Sequence, residues 1–130
     1  MHEASIADAI LQSASAKLLT TPEALQVTRV RVSVGEFRNV DPESLQFAFD
    51  NMKSQYEGMA ACQLEIETVN AEATCQTNEH SYHPRFENAF CCQICGSGIG
   101  RMIRGEELNI VSVRIETSKT KERENARIGR

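Results

Sequence analysis

Apolar residues recur at helical spacing in two parts of the chain. In residues 4–19 they recur every four positions and form one stripe, which predicts a helix. The stripe consists of Ile6, Ile10, Ala14 and Leu18. A second helix is predicted to begin at Asp41-Pro42, because a capping carboxylate followed by proline at the first helical position is a favourable start. Gly58 is its predicted end.

Three other segments alternate between apolar and polar residues, as strands with one buried face do. They are residues 26–35, 62–67 and 107–116. In the first segment, valines at every second position alternate with Arg29, Arg31 and Ser33. The first segment therefore predicts a strand with one buried and one exposed face, whereas the third carries Val111, Val113 and Ile115 on one face and Leu108 and Ile110 on the other.

The stretch between the second and third predicted strands differs in composition. Residues 73–105 carry cysteines, histidines and glycines but few large aliphatic side chains, so they need more than a hydrophobic core to hold them together. A bound metal ion would do so. We therefore predict an α/β (α+β) fold with two helices on a three-stranded sheet and an inserted metal-binding module. Residues 1–72 with 106–116 form the main domain, residues 73–105 the module, and residues 117–130 a charged, disordered tail.

Composition and charge narrow the classes of function. The chain has 130 residues, of which 41% are hydrophobic and 25% charged, as in an ordinary globular domain. Its net charge of −4 argues against a general nucleic-acid binder. No apolar run approaches the roughly 20 residues that span a bilayer, and the N-terminus lacks the features of a secretory signal. We therefore predict a cytoplasmic protein that binds neither nucleic acid nor membrane.

Four of the five cysteines lie in the predicted module. Cys92 and Cys95 are separated by two residues and followed by Gly96, a spacing that can turn both thiolates toward one metal ion. Cys75 is the candidate third ligand upstream. Clustered cysteines in a reducing compartment are more often metal ligands than disulfides. Cys62 lies apart, in the second predicted strand, and is predicted to be a buried core residue.

Spacing alone leaves the fourth ligand of a tetrahedral zinc site open. A second Cys-x-x-Cys pair would place it at position 78, but that residue is Asn78, whose neutral amide oxygen is a weak ligand beside thiolate or imidazole. The nearby substitutes are His80, Cys91 and His83. His80 is slightly favoured, because it can reach back over a short loop, and Cys91 comes next.

Two other interpretations of the cysteine cluster compete with zinc binding. The first is a former metal site that packing now holds together. The second is a thiol–disulfide pair formed by Cys92 and Cys95, which would require a helix N-terminus to stabilise the thiolate. The glycine-rich residues 96–100 are poor helix formers, so the redox interpretation is the weakest of the three.

The first two residues offer a different metal-binding arrangement. The terminal amine, the backbone amide of His2 and its imidazole can form linked chelate rings around one ion. Nitrogen-rich, nearly planar coordination suits nickel(II) or copper(II). Glu3 adds a carboxylate or a further backbone nitrogen. Taken alone, however, a histidine at position two is an ordinary exposed residue and does not establish a site.

In their order along the chain, several segments together resemble the HypA/HybF family of hydrogenase maturation factors. They are Met1-His2-Glu3, residues 30–36, residues 41–49, Cys75, residues 92–96 and residues 105–110. The resemblance covers roughly residues 1–116, which is nearly the whole chain. It implies a nickel-binding α/β domain that carries a zinc-binding domain inserted before its last strand.

The resemblance also implies ligands for both metals. Nickel would be held by the terminal amine and His2, with Glu3 in support. Zinc would be held by Cys75, Cys92 and Cys95, which are three of the four cysteines in the family's two Cys-x-x-Cys pairs. The fourth position falls on Asn78.

The function that the resemblance implies is that of a nickel metallochaperone and not of an enzyme. It would carry Ni(II) as transient cargo, hold Zn(II) structurally and deliver nickel for maturation of a nickel–iron hydrogenase or of urease. Its partners would be a nickel-handling GTPase and the hydrogenase large-subunit precursor, and it would be a monomer or weak homodimer. No catalytic residue is predicted, because the sequence carries no nucleophile elbow, phosphate loop or zinc-protease motif. The main alternative is a zinc-ribbon-type interaction adaptor without a nickel role.

Overall fold

The computed structural model describes residues 3–118. It contains two α-helices, α1 (Glu3–Leu19) and α2 (Pro42–Met52). Its strands are β1 (Ala24–Gly35), β2 (Gln63–Val69), β3 (Glu72–Cys75), β4 (Ser81–Tyr82), β5 (Ile99–Arg104) and β6 (Leu108–Thr117). The strands form two three-stranded sheets, ordered β2-β1-β6 and β4-β3-β5. His2 and nearly all of the predicted tail, residues 117–130, lie outside the described residues.

The predicted α+β architecture of two helices and a three-stranded sheet is confirmed, and the second sheet carries a group of cysteines and a histidine that could hold a metal ion. α1 packs against α2 and buries the predicted stripe together with Ala7 and Leu11. In α2, Leu45 and Phe49 are fully buried. Burying an aliphatic or aromatic side chain of this size stabilises the fold by about 1.5–3 kcal/mol. The apolar stripes therefore explain why the two helices form and pair.

The start of α2 is the predicted one, but its end is not. The side chain of Asp41 caps the helix by accepting hydrogen bonds from the Glu43 backbone N–H at 3.2 Å and the Ser44 hydroxyl at 2.7 Å. The helix ends at Met52, six residues before Gly58, and a 3-10 turn follows at Lys53–Gln55. The prediction that the helix extends to Gly58 was therefore wrong.

The alternation in β1 and β2 is confirmed. Val30 and Val32 are buried in β1, while Arg29 and Arg31 point to the exposed side and each lie 3.2 Å from the carboxylate of Glu65 in β2. Surface ion pairs of this kind contribute little to stability, about 0–1 kcal/mol each. Cys62, just before β2, is also fully buried as predicted. The hydrophobic faces therefore stabilise this sheet more than the charges do.

The described chain divides into two compact units. The first comprises residues 3–32, 40–66 and 110–118, and the second residues 33–39 and 67–109. The assignment of residues 33–39 to the second unit is a long-range association that the sequence pattern does not predict. The predicted roles, nickel binding for one domain and zinc binding for the other, remain predictions. No helix within residues 3–118 is long and apolar enough to cross a membrane.

The second unit is built on three short antiparallel strands. Ala73 in β3 pairs with Tyr82 in β4 on one side and with Met102 in β5 on the other. Its hydrophobic core is small. The core contains Ala73, Cys75, Tyr82 and Cys92, with Ile99 and Met102 packed against it. Two of these buried residues, Cys75 and Cys92, are candidate metal ligands, so the candidate metal centre borders the core of this unit.

Candidate metal centre

Four side chains of the second unit converge on one point. They are Cys75, His80, Cys92 and Cys95, whose potential ligand atoms all lie within 4.8 Å of one another. Cys75 ends β3, His80 precedes β4, and the other two lie in the loop before β5. Among residues 3–118 no other group of three or more histidines, cysteines or carboxylates is arranged to hold a metal ion.

The distances within this group fit a tetrahedral zinc ion. A zinc–sulfur bond of about 2.3 Å and a zinc–nitrogen bond of about 2.0 Å place tetrahedral ligands about 3.8 Å apart for two sulfurs and about 3.5 Å apart for sulfur and nitrogen. Here the Sγ atoms of Cys75 and Cys95 are 3.6 Å apart. The Nδ1 atom of His80 lies 3.7 Å from the Sγ of Cys75 and 3.7 Å from the Sγ of Cys92. Three thiolates and one imidazole are also the donor types that zinc prefers.

Hydrogen bonds to the sulfurs stabilise their negative charge. The backbone N–H groups of Asn78 and His80 donate to the Sγ of Cys75 at 3.4 and 3.3 Å. The hydroxyl of Ser97 lies 3.1 Å from the Sγ of Cys95. The loop around these sulfurs is closed by two backbone hydrogen bonds of 2.8 Å, from Gly96 N–H to the Cys92 carbonyl and from Cys92 N–H to the Ser97 carbonyl. These hydrogen bonds orient the cysteines, as groups that contact the ligand residues of a metal site commonly do.

The pKa values of the cluster favour thiolate. Hydrogen bonds from the side chain and backbone of Ser97, with a further one from His80, lower the pKa of Cys95 to about 5. Burial raises the pKa of Cys75, but hydrogen bonds from Asn78, Ser97 and His80 outweigh it and bring that pKa to about 7. The pKa of His80 is raised, chiefly by its hydrogen bond with Cys95. Because the thiolate is the metal-binding form, the lowered pKa values of Cys75 and Cys95 favour cation binding, whereas the raised pKa of His80 favours the protonated ring, which must lose its proton to bind a metal ion.

The three candidates for the fourth position lie in different environments. His80 is part of the cluster. The Sγ of Cys91 contacts the Ala89 carbonyl at 3.5 Å, outside the cluster. The Nε2 atom of His83 bonds to the Oε1 of Glu36 at 2.8 Å, also outside it. Position 78 takes part through its backbone only.

Of the predicted N-terminal site, only Glu3 lies within the described residues. It is the first residue of α1, and its Oε1 accepts a hydrogen bond from the Asp41 backbone N–H at 3.4 Å. This contact ties the residue that follows His2 to the start of α2.

Sequence reasoning missed Ser97 as a partner of Cys95. The available signal was its position two residues after Cys95, following a glycine. Gly96 has a backbone φ of +75°, which glycine adopts without a steric cost and which lets the chain turn back over the sulfur.

Comparisons with known proteins give the same assignment as the motifs. A family model described as hydrogenase/urease nickel incorporation, metallochaperone, hypA matches residues 1–115. The hydrogenase maturation factor HypA of Synechococcus elongatus is 34% identical over 115 residues, which cover 88% of this chain and 99% of the relative. Guanidine hydrolase-activating protein A of Synechocystis is 30% identical over 110 residues, which cover 85% of this chain and 91% of that protein.

A solved structure has the same fold. The solution structure of the Ni metallochaperone HypA from Helicobacter pylori superimposes with a TM-score of 0.63 at 22% identity, covering 91% of this chain and all of that chain. The match to the family model over most of the chain confirms the resemblance found in the sequence, and the protein belongs to the HypA family of nickel-incorporation metallochaperones.

Proposed function

We propose that this protein binds Ni(II) at its N-terminus and delivers it for maturation of a nickel–iron hydrogenase. The observation that carries the proposal is the family match, which extends from residue 1 to residue 115 and so includes the residues proposed to hold nickel. The amine of Met1, the amide of His2 and its imidazole are the proposed nickel ligands. Glu3 supports them, and its hydrogen bond to the Asp41 backbone anchors the residue next to the site.

Delivery requires a site that releases its ion. Three nitrogen ligands from adjacent residues leave coordination positions open, so a receiving site can add ligands before these dissociate. All three nitrogens must lose a proton to bind, and nickel affinity should therefore fall as pH falls. Nickel is cargo in this scheme, and the chain itself performs no catalysis.

We also propose that Cys75, Cys92 and Cys95 hold a structural Zn(II). Supporting this are the tetrahedral spacing of the cluster and the small hydrophobic core of the unit that contains it. A structural zinc ion contributes folding free energy directly. In this unit it would connect β3 to the loop that precedes β5.

The proposed partners are a nickel-handling GTPase and the precursor of the hydrogenase large subunit. We propose that the protein contacts them in the cytoplasm and that it binds neither nucleic acid nor membrane. Several relatives are named hydrogenase maturation factor, which supports hydrogenase as the target. Urease is the alternative target, and the relative named for activating guanidine hydrolase shows that related chains serve other enzymes. We propose a monomer or weak homodimer.

The test is metal stoichiometry in protein tagged only at its C-terminus. Wild type is compared with His2→Ala, with a variant extended by two residues ahead of Met1, and with the matched histidine control His83→Ala. We expect about one nickel ion per chain in wild type and in the control. Both N-terminal variants should lose nickel and keep zinc. Nickel binding that survives both changes would contradict the proposal and support the zinc adaptor without a nickel role.

A further inference from the structure

We propose that His80 is the fourth zinc ligand, so that this chain holds zinc in a Cys3His site rather than in a site of four cysteines. The inference rests on the proposed structural zinc and is independent of the nickel site. It assigns the ligand to a residue two positions beyond Asn78, where a second Cys-x-x-Cys pair would supply a cysteine.

The imidazole of His80 faces two of the cluster's sulfurs. The Nδ1 atom of His80 lies 3.7 Å from the sulfurs of both Cys75 and Cys92. All four potential ligand atoms lie within 4.8 Å of one another, so this imidazole can supply the ligand that the three cysteines leave open. Cys91 and His83, the other candidates, are held away from the cluster by the Ala89 carbonyl and the Glu36 carboxylate respectively.

A turn between Cys75 and His80 brings the histidine to the cluster. The backbone N–H of Cys75 donates to the carbonyl of His80 at 3.0 Å, which closes a loop over residues 76–79. Glu79, the last residue of this loop, has a backbone φ of +55°. A non-glycine residue seldom adopts this left-handed conformation. We infer that it reverses the chain so that the next side chain faces the sulfurs, which makes Glu79 a positioning residue for the ligand.

The backbone of Asn78 still contacts the cluster, although its side chain is not a cysteine. Its backbone N–H still donates to the Sγ of Cys75 at 3.4 Å, and the N–H of His80 adds a second such bond at 3.3 Å. The turn thus keeps the N–H···S contacts that stabilise a thiolate ligand, while the coordinating side chain comes from His80. With one neutral imidazole the zinc complex carries a formal charge of about −1, compared with about −2 for four thiolates.

The test compares His80→Ala with the double variant Asn78→Cys/His80→Ala. Cys91→Ser and His83→Ala serve as controls at the two rejected positions. Zinc affinity is measured by competition with a chromogenic chelator, and the number of thiolate ligands by the charge-transfer absorption of the Co(II)-substituted protein. We expect His80→Ala to weaken zinc binding at least about tenfold. The double variant should recover most of that loss and gain the absorption of a fourth thiolate, and both controls should match wild type.

The role of the turn is tested separately with variants that keep every ligand. Glu79→Gly allows the left-handed backbone and should bind zinc like wild type. Glu79→Val disfavours it and should bind zinc several-fold more weakly, with the three-thiolate Co(II) spectrum retained when the site is filled.

Two results would overturn the assignment. One is wild-type zinc affinity and an unchanged Co(II) spectrum in His80→Ala; the other is a loss confined to Cys91→Ser or His83→Ala, which would give the fourth position to that residue. A wild-type protein that binds nickel but no zinc would instead refute the structural zinc on which this inference rests. A failure to bind nickel at the N-terminus would refute the nickel proposal but would leave the zinc measurements unaffected.

Discussion

The hydroxyl of Ser97 lies 3.1 Å from the Sγ of Cys95, the exposed cysteine of the metal cluster. Ser97 is the largest cause of the lowered pKa of Cys95, about 5, because its hydroxyl and backbone both stabilise the thiolate. Of the two cysteines whose pKa is lowered, the exposed Cys95 is thus lowered further than the buried Cys75.

Ser97→Ala should therefore raise the pKa of Cys95 and weaken zinc binding. The backbone hydrogen bond and His80 remain, so the pKa should rise only part of the way to the usual value of a free thiol, and zinc affinity should fall by about tenfold or less. The effect is measured as zinc affinity, by chelator competition that starts from the zinc-loaded protein, in which the second unit is folded. Ser81→Ala, a change at another serine of the same unit, is the control. Zinc affinity unchanged by Ser97→Ala would contradict this account.

Gly105 should tolerate no side chain. Its backbone φ is +116°, and an added Cβ would lie 2.6 Å from the Cα of Ala71, closer than real Cβ contacts come. Gly105→Ala should therefore destabilise the protein by about 1–3 kcal/mol, through backbone strain and steric overlap together. The free energy of unfolding is measured by urea denaturation of the zinc-loaded protein. Gly98→Ala is the matched control, because its nearest neighbour is the Gln76 side chain at 3.9 Å. Equal stability of the two variants would show that the close approach at Gly105 is absent.

Removing zinc should unfold the second unit before the first. The second unit has a small core that includes two of its proposed ligands, Cys75 and Cys92, whereas the first buries larger side chains such as Leu11 and Phe49. Zinc binding contributes on the order of 10 kcal/mol in small zinc-dependent folds. After chelation we expect amide exchange protection to be lost in β3 and β5 and retained in α1 and α2. The comparison is made by hydrogen–deuterium exchange with mass spectrometry on the full chain. Protection that persists in β3 after zinc is gone would mean that packing alone holds the unit.

The elements with regular hydrophobic periods could be predicted from the sequence. Each of these elements can be recognised from neighbouring residues alone, because one buried face imposes a period of about four residues in a helix or two in a strand. They are the stripe of α1, the capped start of α2 and the alternation in β1. The strands β3, β4 and β5 could not be predicted in this way. They are two to six residues long, too short to show a clear period, and the last position of β3 is taken by Cys75, a proposed metal ligand.

For the metal centre, the sequence identified the cysteines but left the fourth ligand open. Cys92 and Cys95 are close in the chain, so their spacing alone predicts that they share an ion. The position of His80 depends on a left-handed backbone at Glu79 and on the pairing of β3 with β4. Glutamate carries no signal for that conformation, so His80 could be favoured over Cys91 only slightly from sequence. In the structure, His80 lies within the cluster and Cys91 lies outside it.

Glu36 should make the stability of the protein depend on pH. Its carboxylate accepts a hydrogen bond from the Ala71 backbone N–H at 2.8 Å, and this bond, followed by the interaction with His83, lowers its pKa below the usual 4.5. A carboxyl whose pKa is lower in the folded state stabilises that state above its unfolded pKa. The contribution disappears as pH falls through the folded pKa.

Glu36→Gln should therefore be less stable than wild type at pH 7, and the difference should shrink as pH falls below about 4.5. The Glu36 side chain is 38% exposed, so solvent screens its interactions and we expect a modest effect. Thermal unfolding of both proteins from pH 7 to pH 3.5 measures the difference. Zinc content is measured at each pH, and only points at which both proteins keep their zinc are compared, because loss of zinc would itself unfold the unit that holds Glu36. His83→Ala distinguishes the contact of Glu36 with Ala71 from its contact with His83. This variant should lose less stability at pH 7 than Glu36→Gln does, because the hydrogen bond from the Ala71 backbone remains. A stability difference that stays constant across this range would show that ionised Glu36 does not stabilise the fold.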